Sequence, residues 1–195
     1  MNERFQQQLN FLVEIDKMKN VLRQTILIDQ SRQENDAEHS WHFAVTAMVL
    51  REYAAPEVDI SRVVKIALVH DLIEVYAGDT FAYDETGYED KSERELAAAD
   101  KIFGLLPSDQ RDELYALWLE FEQMETPDAK YASAMDRIQP LINGYMTDDH
   151  TWRLGGVTID KVYRRMAPVK DATPELWEFV EHVINSAIEK GHLTE

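Results

Sequence analysis

Six histidines, at positions 39, 42, 70, 150, 182 and 192, are the side chains of this 195-residue sequence best suited to bind a metal or move a proton near neutral pH. Two surroundings stand out. Glu38-His39-Ser40-Trp41-His42 falls early in an expected helix, and Ala67-Leu68-Val69-His70-Asp71-Leu72-Ile73-Glu74 sets two adjacent polar residues inside an otherwise apolar helix. An imidazole and a carboxylate buried there need partners, and a metal ion is a natural common one. A third interruption, Met135-Asp136-Arg137-Ile138, lies among Tyr131, Ala134, Leu141 and Ile142. His39, His70 with Asp71, and Asp136 would reach one ion from three separate helices, leaving coordination positions for water and substrate. Imidazole nitrogen with carboxylate oxygen suits a single divalent Mn, Co, Fe, Ni or Zn ion, and suits Mg or Ca less well. His42, three residues past His39 on nearly the same face, is either an outer partner or a packing residue. His150, His182 and His192 read as capped or solvated.

The elements that must position these groups are helical. Apolar residues step by three or four through Phe5, Leu9, Leu12, Ile15, Met18 and Leu22. Ala44, Ala47, Met48 and Tyr53 form a second stripe, Val63, Val64, Ala67, Leu68 and Leu72 a third, Leu114, Leu117, Trp118 and Phe121 a fourth, and Leu176, Phe179, Val180, Val183 and Ile184 a fifth. Asn35 with Glu38 reads as a capping box. Thr126-Pro127 and Thr173-Pro174 each place a capping hydroxyl before a proline at the first helical position, and Gly191 stands where a C-terminal cap belongs. Thr25–Ile28 is a short β-prone run without clear alternation. These signals predict an all-α bundle of roughly seven to eight helices with the metal site in its core. Residues 1–195 are expected to form one domain, with a motif-bearing core at about 9–145 and C-terminal helices over 159–190 packing on it. Loops are expected near 29–35, 54–59, 78–90, 104–107 and 148–158. The 78–90 stretch is long, acidic and aromatic, as functional loops often are.

Composition narrows the partners. With 37 acidic against 20 basic side chains, the formal charge is -17, which disfavours nucleic-acid backbones. The absence of cysteine excludes disulfides, thiolate metal sites and Cys nucleophiles. The first residues lack a basic start with an apolar core, no run approaches about 18 apolar residues, and GHLTE carries no lipidation motif, so a cytoplasmic protein without membrane contact is expected.

Taken together, His39…His70-Asp71…Asp136 resembles the H…HD…D pattern of the HD-domain metal-dependent phosphohydrolases. Ala37-Glu38-His39-Ser40, His70-Asp71-Leu72-Ile73-Glu74, Gly78-Asp79 and the stretch from Pro107 to Leu114 are similar to the 5'-deoxynucleotidase branch, over about residues 9–145. The resemblance implies an HD fold, a homodimer, one divalent cation and hydrolysis of nucleoside 5'-monophosphates, deoxyribonucleotides foremost. By position it implies His39, His70, Asp71 and Asp136 as metal ligands, Glu74 and Asp79 as catalytic groups, and Arg23 as the phosphate-binding residue. Lys19, Arg32 and Arg137 are alternative phosphate partners. Nucleoside di- or triphosphates, or another small phosphate ester, are the alternative substrates. Three departures separate the chain from sister families. No histidine lies between His70 and His150, Asn143-Gly144-Tyr145 is not followed by proline, and Val75 follows Glu74 where alarmone hydrolases carry an acidic pair. Gln24 stands where strongly deoxyribose-selective members carry a bulky aromatic. Glu74, three residues past Asp71, would share a helix face with it and could handle a proton at the attacking water or the leaving oxygen. Asp79, after the turn-forming Gly78, would meet a sugar hydroxyl or a water. A bound cation would reverse the local sign of an acidic chain that otherwise repels a phosphate.

Overall fold

The computed structural model describes residues 2–194. Along the chain run α1 (Glu3–Glu14), β1 (Leu22–Ile26), β2 (Gln33–Asn35), α2 (Asp36–Val49), α3 (Ile60–Val69), the single-turn α4 (Glu74–Ala77), α5 (Lys91–Phe103), α6 (Ser108–Gln123), α7 (Pro127–Met146), α8 (Ile159–Ala172) and α9 (Trp177–Glu189). Eight of these helices have ten residues or more, as the periodicity predicts. No helix among the described residues is long and apolar enough to cross a membrane.

Helix α7 is the axis of the bundle. It packs against α2, α3, α6 and α8, and buried residues cover it on several sides, Tyr131, Ala134, Met135 and Ile138 among them. Its start follows the sequence signal: the Thr126 hydroxyl accepts from the Ala129 N–H at 3.1 Å, and Pro127 opens the first turn. Such a cap contributes about 1 kcal/mol. Pro140 lies inside the same helix and has no N–H to give to the Asp136 carbonyl, so the ladder lacks one bond beside the polar interruption. Helix α2 begins at the expected capping box, where Asn35 Oδ1 accepts from Glu38 N at 3.0 Å and Glu38 Oε2 accepts from Asn35 N at 3.2 Å. Phe43, Ala44 and Ala47 turn inward from α2 to a core that also holds Ile66, Ile102, Phe103 and Ile184. Each large apolar side chain buried there contributes about 1.5–3 kcal/mol. Helices α8 and α9 pack on α7 and on one another.

Four local features differ from the sequence expectations. The segment before α2 is an antiparallel hairpin of β1 and β2, with Leu22 facing Asn35 and Ile26 facing Gln33. Its turn uses Asp29, whose carboxylate accepts from Ser31 N at 3.0 Å, and Gln30 at φ 61°. The helix carrying the His-Asp pair ends at Val69, so His70 caps α3 and Asp71 lies in the turn before α4. The first stripe does not stay on one face. Phe5, Leu12 and Leu22 are exposed, and Phe11 and Met18 carry the burial. The α-helix tightens into 3-10 turns over Ile15–Asn20, with about 3.0 rather than 3.6 residues per turn, which rotates the later positions away from the early ones. Met48 is likewise exposed on α2. Finally, the Thr173 hydroxyl donates back to the Val169 carbonyl at 2.9 Å and does not cap the next turn.

Candidate metal centre

Two imidazoles are aimed at the same point by bonds on their far sides. His39, on α2, has Nδ1 2.6 Å from Gln139 Oε1, and His70, at the end of α3, has Nδ1 2.9 Å from the Ala67 carbonyl. Both acceptors are oxygens, so Nδ1 carries the proton in each ring and Nε2 faces inward. Gln139 is fixed from its other end, its amide NH2 donating to Glu34 Oε1 at 2.9 Å and lying 3.0 Å from His42 Nδ1. His42 is thus an outer partner of the set, reached through Gln139.

The carboxylates close the arrangement. Asp136 Oδ1 is 3.0 Å from His39 Nε2 and 3.7 Å from His70 Nε2. Asp71 Oδ1 is 3.1 Å from His70 Nε2, and its Oδ2 is 3.7 Å from His39 Nε2. Donor atoms of His39, His70 and Asp136 lie within 4.8 Å of one another and all three residues are buried. His70 Nε2 is buried without a hydrogen-bond partner. Two imidazole nitrogens and two carboxylates packed this closely in the interior fit a divalent cation. Protons otherwise do that work. Burial opposes protonation of His70, but Asp71 and Asp136 override it and hold the ring up to about 10. Burial likewise favours the neutral acid at Asp71, yet the His70 imidazolium and Arg23 bring it down to about 2. Asp136 is held well below the usual range, against its burial, by its bond to His39 and by the His70 imidazole beside it.

A second group of carboxylates adjoins the first. Oxygens of Asp36, Glu74 and Asp79 also lie within 4.8 Å of one another. Arg23, an inward position of β1, pairs with Asp36 and Asp79 of this group and with two neighbours: its Nη1 is 3.2 Å from Asp71, 3.5 Å from Asp36 and 3.8 Å from Asp79, and its Nε is 3.8 Å from Glu34. Burial, reinforced by the charges of Asp71, Asp36 and Asp79, pushes the Glu74 carboxyl well up. Burial and Asp71 push Asp36 up to about 7. Asp79, placed by Gly78 at φ 75°, is raised by burial even though Arg23 opposes the rise.

Both groups open on a cavity of about 310 Å³. The 78–90 loop supplies Phe81, Tyr83 and Tyr88 to its wall, and Trp152 completes the aromatic side, its Nε1 donating to Tyr83 Oη at 3.1 Å. Arg137 and Arg165 also line it. The fold therefore brings together the residues that the resemblance implies for the site: His39, His70, Asp71, Glu74, Asp79, Asp136 and Arg23. Of the alternative phosphate partners, Lys19 pairs with Asp16 and Arg32 with Glu38 at the surface, whereas Arg137 reaches the cavity. Sequence reasoning missed Glu34, Asp36, Gln139, Trp152 and Arg165. Gln139 alone carried a signal, being three residues past Asp136 on the same helix face.

The comparisons with known proteins agree with this geometry. The HD domain family matches residues 15–177. The 5'-deoxynucleotidase HDDC2 of Homo sapiens is 33% identical over 142 residues, covering 72% of this chain and 68% of the human protein. The Xenopus laevis protein of that name is 28% identical over 190 residues, covering 95% of this chain and 92% of its own. A crystal structure described as a predicted metal-dependent phosphohydrolase from Magnetospirillum magnetotacticum superimposes with a TM-score of 0.92 at 47% identity, over 98% of this chain and 96% of the other. With a matched segment that contains both histidines, the His-Asp turn and Asp136, the chain belongs to the HD-domain family.

Proposed function

We propose that this chain is a metal-dependent phosphomonoesterase that hydrolyses nucleoside 5'-monophosphates, deoxyribonucleotides foremost, to nucleoside and phosphate. The observation that carries the reading is the buried His39, His70, Asp71 and Asp136 set opening onto a cavity of about 310 Å³ with an aromatic wall. That volume is within the range of small-molecule sites, roughly 300–1,000 Å³. Phe81, Tyr83, Tyr88 and Trp152 suit a nucleobase, and the names of the human and frog relatives support the deoxynucleotide. Gln24 at the cavity rim, in place of an aromatic, points to a looser choice between ribose and deoxyribose.

His39, His70, Asp71 and Asp136 would hold one divalent transition metal, Mn, Co, Fe, Ni or Zn, with Mg disfavoured by the two nitrogens. When bound, such a cation supplies a polarised phosphoryl oxygen and a water of lowered pKa. The chain's own groups do the rest. Glu74, kept protonated by burial and by its carboxylate neighbours, is suited to give its proton to the leaving 5'-oxygen. Asp79, at the mouth of the same acidic group, is placed to accept from a sugar hydroxyl or from water. Arg23 neutralises the carboxylates around it and meets the phosphate from that flank.

The same reading treats residues 1–195 as one HD domain with α8 and α9 completing it, acting in the cytoplasm as a homodimer. An exposed apolar stripe on α2, Trp41, Val45, Met48 and Val49, supports the dimer. Light scattering should then give twice 22.6 kDa, and Trp41→Glu should halve the mass. The activity is tested by metal analysis of the purified protein together with phosphate release from ribo- and deoxynucleoside mono-, di- and triphosphates. Release confined to monophosphates is expected; turnover of triphosphates alone would replace the proposed substrate.

A further inference from the structure

Among the described residues, four Arg and Lys side chains line the cavity, and their partners divide them sharply. Lys91 is paired with Glu95. Arg23 has four carboxylates, those of Glu34, Asp36, Asp71 and Asp79, within 4 Å. Arg137 and Arg165 share one. Asp136 Oδ2 is 3.2 Å from Arg165 Nη2 and 3.7 Å from Arg137 Nη1, while its Oδ1 faces the two histidines. Within 4 Å, these two guanidinium charges face a single carboxylate already engaged on its other oxygen, with Glu122 acting on Arg137 only at longer range. A part-buried excess of positive charge lacks an anion.

The two arginines are not equivalent. Arg137 is largely consumed by the protein: Nε donates to the Arg165 carbonyl at 2.8 Å, and Nη1 donates to the Ser133 carbonyl at 2.6 Å and to the Ser133 hydroxyl. It buckles α8 to α7 at the residue that matters. Arg165, with 27% of its side chain exposed, makes one hydrogen bond, to Asp136, and presents the rest of its fork to the cavity. A planar guanidinium offering parallel N–H groups is the best side-chain match to a phosphate.

We propose that Arg165, anchored by Asp136 rather than by the carboxylates that hold Arg23, binds the phosphate group of the substrate next to the His39, His70, Asp71 and Asp136 set, and that Arg137 is the positioning residue that fixes Arg165. The assignment rests on the phosphomonoesterase reading for its substrate, but the anion site can be tested apart from turnover. Full-length protein loaded with Mn would be titrated calorimetrically with orthophosphate, with metal content and melting temperature measured on every variant. Arg165→Met should weaken orthophosphate by at least about ten-fold at unchanged metal content, Arg165→Lys should recover part of the loss, and Arg137→Met should cost a few-fold. With 2'-deoxyadenosine 5'-monophosphate, Arg165→Met should raise KM by a similar factor and lower kcat less. Unchanged orthophosphate affinity in Arg165→Met would overturn the assignment. So would no measurable binding to the wild type, or a loss of phosphate strictly proportional to lost metal, since Arg165 would then act only through Asp136. A wild type that binds orthophosphate through Arg165 but hydrolyses no nucleotide would sink the phosphomonoesterase reading and leave the anion site standing.

Discussion

Among the described residues, two places bring histidine and carboxylates together, and only one of them has the makings of a metal centre. At the core, His39, His70 and Asp136 converge with Asp71 beside them. Near the end of α9, Asp148, Asp149 and His192 also lie within 4.8 Å of one another. In the core the imidazoles spend Nδ1 on oxygens outside the cluster, which leaves Nε2 free to ligate. At the other place His192 turns Nδ1 onto Asp149 at 2.9 Å, and Lys190 stands 3.2 Å from both Asp148 and Asp149. The lysine already supplies the positive charge, and Asp148 is exposed. Residue types are the same; what differs is which nitrogen faces in, and whether a protein cation has taken the ion's place.

The sharpest way to break this contrast is to remove one member from each cluster. His70→Ala or Asp71→Ala should reduce bound metal and phosphate release to background, whereas Asp149→Asn should leave both at wild-type levels. Equal metal loss in the two cases would make the second cluster a ligand set after all. Next in size, Glu74→Ala should retain the metal and lose turnover by roughly two to four orders of magnitude, the usual worth of a proton-transfer group. Retained turnover would show that Glu74 is only a buried neighbour of the ligands. Lys190→Met should lower stability by about 1 kcal/mol, because Asp149 is buried and loses its lysine partner, with no change in kinetics; a larger activity loss would link the two clusters.

A separate effect is in the pH dependence of the chelated protein. Asp36 and Glu74 have raised carboxyl pKa values, so their stabilising contribution is complete below the ordinary carboxylate value of 3.8 to 4.5 and is lost as pH rises, for Asp36 through about 7. His70, raised to about 10, adds a loss above 6.5 in the same direction. The metal-free protein should therefore melt several degrees lower at pH 8 than at pH 5.5, with Asp149→Asn leaving that slope in place. Added metal should flatten it, since the cation replaces those protons. A metal-free protein more stable at pH 8 would contradict the charge assignment of the core.

The core cluster was legible in the sequence because its chemistry conflicts with its surroundings. His70-Asp71 and Asp136 interrupt apolar stretches, and a polar group in an apolar stripe demands a partner wherever the helices go. The helical class was legible for the complementary reason, long stripes with few breakers. What escaped depended on tertiary placement. Asp36 sits between Asn35 and Glu38 and reads as part of a cap, although its carboxylate is wholly buried. The hairpin escaped because Gln33–Asn35 is a short polar segment with no apolar alternation, and its pairing with β1 shows only in the fold. Arg165 and Trp152 are ordinary residues of a charged helix and a loop until α8 crosses α7 and the two loops meet over the cavity.

Gln139 imposes a constraint of another kind, on how this sequence can drift. Its carbonyl must accept from His39 while its amide nitrogen serves Glu34 in the interior and the half-buried His42. A carboxylate at 139 would lose the donor toward Glu34 and place two acids in contact; an aliphatic residue would strand His39; an asparagine would be one methylene short. Positions 34, 42 and 139 are therefore bound to change together or not at all, which makes this trio a place where the lineage of this metal centre should be least free to wander.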